Sequence, residues 1–343
     1  MTTAAGRPAM TFSFLELLDR TFRIYRENFV PIIGFVALVT VPLTILSSII
    51  SLSTAQVDIN QFSQRGTNSG DLFAVCMGAL VTVAIALIQV VLVNGVLTYL
   101  ASENQLGRSV TIGEAFQAAR PRFGVLGWGF VLLYIVIIVL FVAVGLLAAL
   151  CGFAIAGIGL AAYIGLATFA MLPAVLTLEN VGASRGINRA WTLGRARFWT
   201  LLGFMAVFYI LTLILTLALT SLGGLVVVPT RSVDITAGDV LDIVLTTVIN
   251  IVVAPLLPIA MTLLYYDVRS RVEGLDIAFS ALDIPDPRPS DVPSPDPGPL
   301  FTGKDLVNVI ILVIGVLVLS LVAAGLLSSL INQIVPGGLA GLR

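Results

Sequence analysis

The chain has 343 residues and a formal net charge of −1; 58% of its residues are hydrophobic and only 11% are charged. A soluble domain carries roughly 25% charged residues, so this composition excludes an ordinary globular enzyme. The absence of histidine excludes Ser-His-Asp and Cys-His nucleophilic sites as well as histidine-bearing zinc sites. Cys76 and Cys151 are too few for a disulfide framework or a metal site. They are interpreted as fillers of packed helices, and a bridge between them is left open.

Six long stretches without a charged residue dominate the chain. They run from Asn28 to Val57, Leu72 to Ser102, Phe123 to Leu178, Phe198 to Thr230, Ile243 to Tyr266 and Leu306 to Leu342. Each can cross a bilayer, which takes roughly 20 apolar residues of helix. The third stretch is long enough for two passes and predicts a hairpin that turns near Cys151 and Gly152. The sequence therefore predicts an all-α, polytopic membrane helical bundle with seven transmembrane helices.

The positive charges are distributed unevenly between the two ends of these predicted spans. Fifteen fall on the side of the N-terminus and three on the opposite side. The fifteen are Arg7, Arg20, Arg23, Arg26, Arg108, Arg120, Arg122, Arg185, Arg189, Arg195, Arg197, Arg269, Arg271, Arg288 and Lys304, and the three are Arg65, Arg231 and Arg343. By the positive-inside rule, the N-terminus is predicted in the cytoplasm and the C-terminus outside.

Three segments that precede spans share one amphipathic pattern. In each, four positions recur at spacings of four, three and four, with an arginine three residues before the last. The positions are Leu18, Phe22, Tyr25 and Phe29 with Arg26, then Ile112, Phe116, Ala119 and Phe123 with Arg120, and then Ile187, Trp191, Gly194 and Phe198 with Arg195. The pattern predicts cytoplasmic surface helices at residues 12–28, 109–121 and 184–196, with their aromatic stripes toward lipid or protein.

A domain organisation follows from these patterns. The sequence predicts three repeats of one interfacial amphipathic helix and two transmembrane helices. Seven prolines between Asp283 and Asp305 favour an extended spacer that has no apolar surface to bury. The predicted parts are a six-helix membrane domain at 1–277 with repeats at about 12–105, 107–180 and 182–271, a proline-rich cytoplasmic linker at 278–305, an appended transmembrane helix at 306–334 and a short outer tail at 335–343.

Few amide side chains lie within the predicted spans of the six-helix domain. The intramembrane polar residues are Gln89, Asn94 and Asn250. Such side chains commonly hydrogen-bond between helices, which is the prediction here; lining a pathway is the alternative. Prolines at 173, 255 and 258 are expected to bend their helices, and such a bend either builds a cavity or merely shapes the bundle.

The carboxylates give no sign of an embedded catalytic or transport site. Asp242, Asp267 and Glu179 fall near predicted helix ends, where water is expected to reach them. A proton-coupled carrier usually needs a membrane-embedded ionisable group, so this placement argues against one. We predict no catalytic residue, no metal site and no cofactor.

The densest group of charged side chains lies where the sixth span ends, between Leu263 and Gly274. Asp267 and Arg271 are four residues apart, and so are Arg269 and Glu273. This spacing predicts two structural ion pairs on one helix. The alternative interpretation is a site that binds an anionic headgroup or a partner. Its candidate residues are Arg26, Arg120, Arg195, Arg269 and Arg271.

The same stretch carries a family resemblance. The run from Leu263 to Asp276 resembles the closing signature of a bacterial integral membrane family named for the membrane domain of glycerophosphoryl diester phosphodiesterase. The opening run from Leu18 to Phe29 and the segment from Ala190 to Trp199 are also similar to that family. The resemblance spans about residues 12–277 and implies a six-helix core. It covers the membrane part only, so it implies no catalytic domain and no catalytic residue.

Three classes of function are compatible with these observations. The first is a structural or accessory membrane protein, not an enzyme, whose amphipathic helices engage membrane lipids, anionic ones in particular, or a protein partner or second copy. The alternative is a transporter or channel for a small solute, supported by the repeat and the prolines. A membrane-embedded enzyme is the least favoured. Nothing in the sequence predicts binding of nucleic acid.

Overall fold

The structure, a computed structural model, describes residues 10–55, 69–151, 154–227, 235–282, 285–295, 299 and 301–334. All regular elements of these segments are helical, which confirms the predicted all-α class. The α-helices are α1 (Phe14–Glu27), α2 (Phe29–Ala55), α3 (Ser69–Gln105), α4 (Ile112–Ala119), α5 (Phe123–Cys151), α6 (Ala154–Leu178), α7 (Ala183–Ala196), α8 (Phe198–Val227), α9 (Ile235–Val253), α10 (Leu256–Glu273), α11 (Leu275–Ala281) and α12 (Gly303–Ile334). Short 3₁₀ turns lie at Arg120–Arg122 and Pro289–Asp291.

Six helical segments in the described part of the chain are long and apolar enough to cross a membrane. They are Phe29–Ile50, Phe73–Gln105, Ile112–Val144, Gly157–Leu178, Phe198–Ala218 and Ile243–Glu273. The chain is therefore a multi-pass integral membrane protein. The predicted seventh span falls in α12, which is helical but is not among these six, so its passage across the membrane stays a prediction.

The long third apolar stretch is divided into two helices. One of them, α5, ends at Cys151, and α6 begins at Ala154. Gly152, where the turn was also predicted, lies outside the described residues. Cys76 is exposed and free, so it forms no disulfide and is not the filler of a packed helix that was predicted. The side chain of Cys151 lies outside the described part.

The three amphipathic segments all form helices, α1, α4 and α7, and each leads into a long apolar helix. Two of them begin with the same cap. The Ser13 hydroxyl accepts from the backbone N–H of Glu16, and the Glu16 carboxylate accepts from the backbone N–H of Ser13; Thr111 and Glu114 do the same in α4. Such capping boxes provide acceptors for backbone N–H groups that have no hydrogen-bond partner at the start of a helix. The N-cap of α7 is Gly182, which has no side chain to form such a cap, and the threefold repeat stays a prediction.

The chain forms two compact units, of which the first comprises residues 1–132 and 167–296. In this unit α1 lies against later helices. The rings of Phe14 and Phe204 are 4.5 Å apart between centroids. The Tyr25 hydroxyl donates to the carbonyl of Val252 over 2.6 Å. These contacts attach the amphipathic N-terminal helix to α8 and α9.

The second unit comprises residues 133–166 and 297–343. Within it, α12 packs against α6. The buried Tyr163 hydroxyl donates to the Asp305 carboxylate over 2.8 Å, and the Asn308 amide donates to the same hydroxyl over 3.2 Å. A Cβ atom at Gly159 would lie only 2.2 Å from a methyl group of Val313. The appended helix is therefore fastened by specific polar bonds.

In the first unit, α6 and α7 make an unusually close backbone contact. A Cβ atom added at the buried Gly194 would lie 2.1 Å from the carbonyl oxygen of Ala167. Because this oxygen belongs to the backbone, the clash with an added Cβ atom could be removed only by a shift of one helix. Gly194 is also the position at which the third amphipathic segment replaces the larger Tyr25 or Ala119 of the others.

We expect Gly194→Ala to destabilise the protein by about 1–3 kcal/mol, the usual range for overpacking. Gly34→Ala is the matched control, because a Cβ atom there meets nothing within 4 Å. Unfolding midpoints of the two purified variants measure the difference. Equal midpoints for both would show that the α6–α7 contact is looser than described.

Candidate functional site

The stretch of α10 from Leu263 to Ser270 is buried, although it carries charged and hydroxyl-bearing side chains. Tyr265, Tyr266, Asp267 and Arg269 all have no exposed surface. The helix ends at Gly274, whose φ of 65° lies in the left-handed region that glycine adopts without steric cost. Burial of full charges is costly unless they are paired and hydrogen-bonded. The partners of these side chains therefore determine what this part of the molecule can do.

Four charged residues form a buried network, called here the charged cluster: Glu179, Arg189, Arg269 and Glu273. Arg189 donates to Glu179 over 3.1 Å and to both carboxylate oxygens of Glu273. Arg269 donates to Glu273 over 3.1 Å, and its guanidinium lies 3.6 Å from Glu179. Two positive and two negative side chains thus balance each other. The cluster joins α7 and α10 to the residue that follows α6.

Tyr265 completes the inner side of the charged cluster. Its hydroxyl donates to Glu179 over 2.9 Å and accepts from Arg269 over 2.8 Å. This single hydroxyl bridges one acid and one base of the cluster. The neighbouring Tyr266 hydroxyl lies 2.8 Å from that of Ser102, which ties α10 to α3.

The electrostatics of Glu179 and Arg189 favour their charged forms. Burial acts to raise the pKa of the Glu179 carboxyl, but the positive charges of Arg269 and Arg189 outweigh burial and hold this pKa below its usual value. Burial acts to lower the pKa of Arg189, but its bonds to Glu273 and Glu179 raise the pKa above its usual value. Both groups are therefore ionised at neutral pH, and neither is poised as a general acid or base.

A second ionic site surrounds Asp267. Its carboxylate accepts from Arg271 over 2.8 Å and from Arg197. It also accepts from the backbone N–H of Phe12 over 2.8 Å, while Arg271 donates to the carbonyl of Phe12 over 3.0 Å. These bonds fasten the segment before α1 to the end of α10. Asp267 is thus a fastening point between distant parts of the chain.

The proline-rich segment, residues 285–295, lies over the charged cluster. Arg269 donates to the carbonyls of Pro289 and Val292, each over 3.0 Å, and the Ser294 hydroxyl donates to Glu179. Pro287 and Pro289 are buried. This differs from the expected spacer with no surface to bury. The physical reason is that backbone carbonyls at Pro289 and Val292, beside a 3₁₀ turn, accept from the buried guanidinium of Arg269 and hold the segment against the cluster.

A third group of charges lies beside this segment. Glu103 is 3.0 Å from Arg108 and 3.7 Å from Arg288. Arg108 also lies 3.7 Å from Asp286. The proline-rich segment is thus joined to the end of α3 as well as to α10.

The predicted headgroup candidates have different surroundings. Arg26 and Arg120 are exposed. Arg195 is partly exposed and lies over the ring of Trp191 at 5.6 Å. Arg271 is 44% exposed and pairs with Asp267, whereas Arg269 has no exposed surface. The two pairs four residues apart, Asp267 with Arg271 and Arg269 with Glu273, are both formed.

The intramembrane polar residues also differ from one another. Gln89 donates to the Thr40 hydroxyl of α2 over 3.3 Å, a bond between helices. Asn94 donates to the carbonyl of Val90 in its own helix over 2.8 Å. Asn250 is exposed. Only the first makes the interhelical bond that the sequence predicted.

The expectation that water reaches Asp267 and Glu179 was wrong. Their side chains are 0% and 1% exposed. Arg197 and Arg271 pair with Asp267, and Arg189 and Arg269 pair with Glu179. The side chain of Asp242 lies outside the described residues. Sequence reasoning also missed Arg189, although a signal existed: it lies on the same face of α7 as Gly186, Ala190 and Leu193, the buried stripe.

No family model, no curated protein and no solved structure matches the chain. The resemblance to the membrane-domain family therefore stays a prediction. No group of three or more His, Cys, Asp or Glu residues that could hold a metal ion lies in the described ranges. The geometry of the charged cluster, with every charge facing an opposite one, indicates a structural centre.

Glu179→Gln should destabilise the protein by about 3–5 kcal/mol, because it leaves buried guanidinium groups without a countercharge. Asp19→Asn is the matched control, since Asp19 and Arg23 form an exposed pair with side chains 68% and 54% exposed. Loss of that pair should cost at most about 1 kcal/mol. Chemical unfolding of both variants in detergent tests this, and a similar loss for both would contradict a structural role for the cluster.

The charged cluster also predicts a pH dependence. Because the pKa of Glu179 is lowered in the folded state, its stabilising contribution is fully present above the unfolded-state value of about 4.3. The contribution is lost as the pH falls through the lower folded-state value. Unfolding midpoints measured from pH 7 to pH 3 should therefore fall less steeply in Glu179→Gln than in the wild type. Parallel curves would show that this carboxyl is not held below its usual pKa.

Proposed function

We propose that this integral membrane protein is a non-enzymatic structural or accessory protein of the bacterial cytoplasmic membrane, with its N-terminus inside and its C-terminus outside. In this proposal its amphipathic helices lie along the cytoplasmic face and bind anionic lipid headgroups through arginine. A protein partner or a second copy would meet the same face. The excess of positive charge at that end supports the orientation.

The observation that carries the proposal is the exposed face of α1. Leu15 is 75% exposed and Phe22 is 43% exposed, while Arg23 and Arg26 on the same helix are exposed as well. Apolar side chains that are partly or largely exposed suit the lipid side of an interface, and arginines beside them suit its headgroups. The buried side of α1, with Leu17, is held against the bundle.

The face of α4 supports the same function. Phe116 is 36% exposed, and Arg120 at the end of the helix is exposed. The third amphipathic helix, α7, differs because Trp191 is buried, so its stripe faces protein. Arg195 nevertheless retains partial exposure at its edge.

Burial narrows the set of headgroup candidates. Arg269 is enclosed by carboxylates and by carbonyls of the proline-rich segment, and Arg271 pairs with Asp267. A lipid phosphate would have to displace these bonds. The proposal therefore relies on Arg26, Arg120 and Arg195.

The transporter or channel alternative retains one supporting observation. Asn94 lines a pocket together with Pro173 and Pro258, the residues predicted to bend their helices. Asn250, the second residue expected along a pathway, is exposed and does not line it. The exposed arginines are therefore the stronger basis for a function.

The combined variant Arg26→Gln, Arg120→Gln and Arg195→Gln should bind phosphatidylglycerol at least tenfold more weakly than the wild type. Each basic side chain near an anionic leaflet contributes roughly 1 kcal/mol. Native mass spectrometry of the detergent-purified protein, titrated with phosphatidylglycerol and with phosphatidylcholine, measures the difference.

The matched control is Arg65→Gln, Arg231→Gln and Arg343→Gln, which removes the same charge from the side predicted to be outside. It should bind phosphatidylglycerol like the wild type. An equal loss of phosphatidylglycerol binding in both triple variants would mean that net charge alone determines binding. No loss of binding in either variant would refute the headgroup proposal. Unfolding of the first variant alone would show that these arginines hold the fold instead.

A further inference from the structure

A small pocket lies between α3, α6 and α10 in the first unit, and its residues on α3 and α10 precede the charged residues of the same helices in sequence. The residues that line it are Asn94, Thr98, Phe169, Ala170, Pro173, Ala174, Leu257, Pro258, Met261 and Thr262. Thr98 precedes Glu103 by five residues, and Thr262 precedes Arg269 by seven. At 1.5 Å per residue, the pocket lies roughly 8–10 Å along these helices from the charges. It is a separate site with its own, uncharged lining.

One polar group in this lining has no partner. The hydroxyl of Thr98 is buried, with the residue 1% exposed, and it makes no hydrogen bond. A threonine in a helix usually satisfies its hydroxyl on the carbonyl four residues earlier, as Thr262 does on Pro258 over 2.7 Å. A buried hydroxyl without a partner costs about 1–3 kcal/mol. A hydrogen-bond partner for the Thr98 hydroxyl within the pocket would remove this cost.

Hydrogen-bond acceptors lie around the same space. Pro173 has no N–H, so the carbonyl of Phe169 lacks the donor that a regular helix would supply. The amide N–H of Asn94 is used on Val90, which leaves its amide oxygen able to accept. Such an arrangement of one donor and several neutral acceptors matches a small neutral ligand. It does not match a cation, because the lining contains no carboxylate to balance the charge.

We propose that the pocket binds one water molecule, which accepts from Thr98 and donates to the carbonyl of Phe169 and the amide oxygen of Asn94. A buried water typically makes about three hydrogen bonds to groups that would otherwise be unsatisfied. This water joins α3 to α6 where Pro173 interrupts the backbone bonding. It supplies the bond that the proline removes.

Thr98→Val tests the site, because valine keeps the shape and removes only the hydroxyl. With water bound, the variant loses a bonded group and its unfolding midpoint should fall by a few degrees. Thr177→Val is the matched control: its hydroxyl is also buried and without a partner, but Thr177 does not line the pocket. The control should keep or raise the midpoint, because it only removes an unsatisfied group. A Thr98→Val midpoint that equals or exceeds the control's overturns the proposal.

X-ray hydroxyl-radical footprinting detects the bound water, because radicals formed from that water oxidise the side chains beside it. Met261 lines the pocket and is 4% exposed, whereas Met171 is 0% exposed and does not line it. We expect several-fold faster oxidation of Met261 than of Met171 in the wild type, and a loss of that difference in Thr98→Val. Equal protection of the two methionines in the wild type means a dry pocket and overturns the proposal.

Discussion

The mutual neutralisation of Glu179, Arg189, Arg269 and Glu273 is the constraint on which the first unit depends. Removing four full charges from water costs several kcal/mol for each ion, and only opposite charges at hydrogen-bond distance offset this. The four residues come from the chain after α6, from α7 and from α10. These elements must therefore meet in one relative position. Apolar contacts between the spans tolerate small sliding motions, whereas a buried ion network does not.

The spans were predictable because lipid imposes a local rule. Each crossing helix must form all its backbone hydrogen bonds internally and present apolar side chains along its length. Uninterrupted apolar runs such as 198–218 can therefore be recognised from the sequence. The capping boxes at Ser13 and Thr111 are local in the same sense. The pairs on α10 could also be read from a spacing of four residues. All of these features are decided by neighbours in sequence.

The charged cluster could not be read in this way because its partners are distant in sequence. Arg189 meets Glu179 ten residues away and Glu273 eighty-four residues away. Glu179 directly follows an apolar helix, which is the usual place for a solvated carboxylate, and only the fold encloses it. The docking of the proline-rich segment left no sequence signal either, since its contacts use backbone carbonyls at Pro289 and Val292 that every residue possesses. Specificity here resides in Arg269, which donates to both carbonyls.

The position of the proline-rich segment has a consequence for the order in which the protein is made. Arg269 donates to the carbonyls of Pro289 and Val292, and Glu179 accepts from Ser294; these three partners are synthesised after the six candidate spans found in the described part of the chain. Arg269 and Glu179 are therefore translated before Pro289, Val292 and Ser294, their last hydrogen-bond partners. A chain that stops at Gly274 would keep the ion pairs of Arg269 with Glu179 and Glu273 but would lack the two carbonyls to which Arg269 also donates. Docking of the proline-rich segment is therefore a late step, which completes the hydrogen bonding of a charged cluster whose four members have already been synthesised.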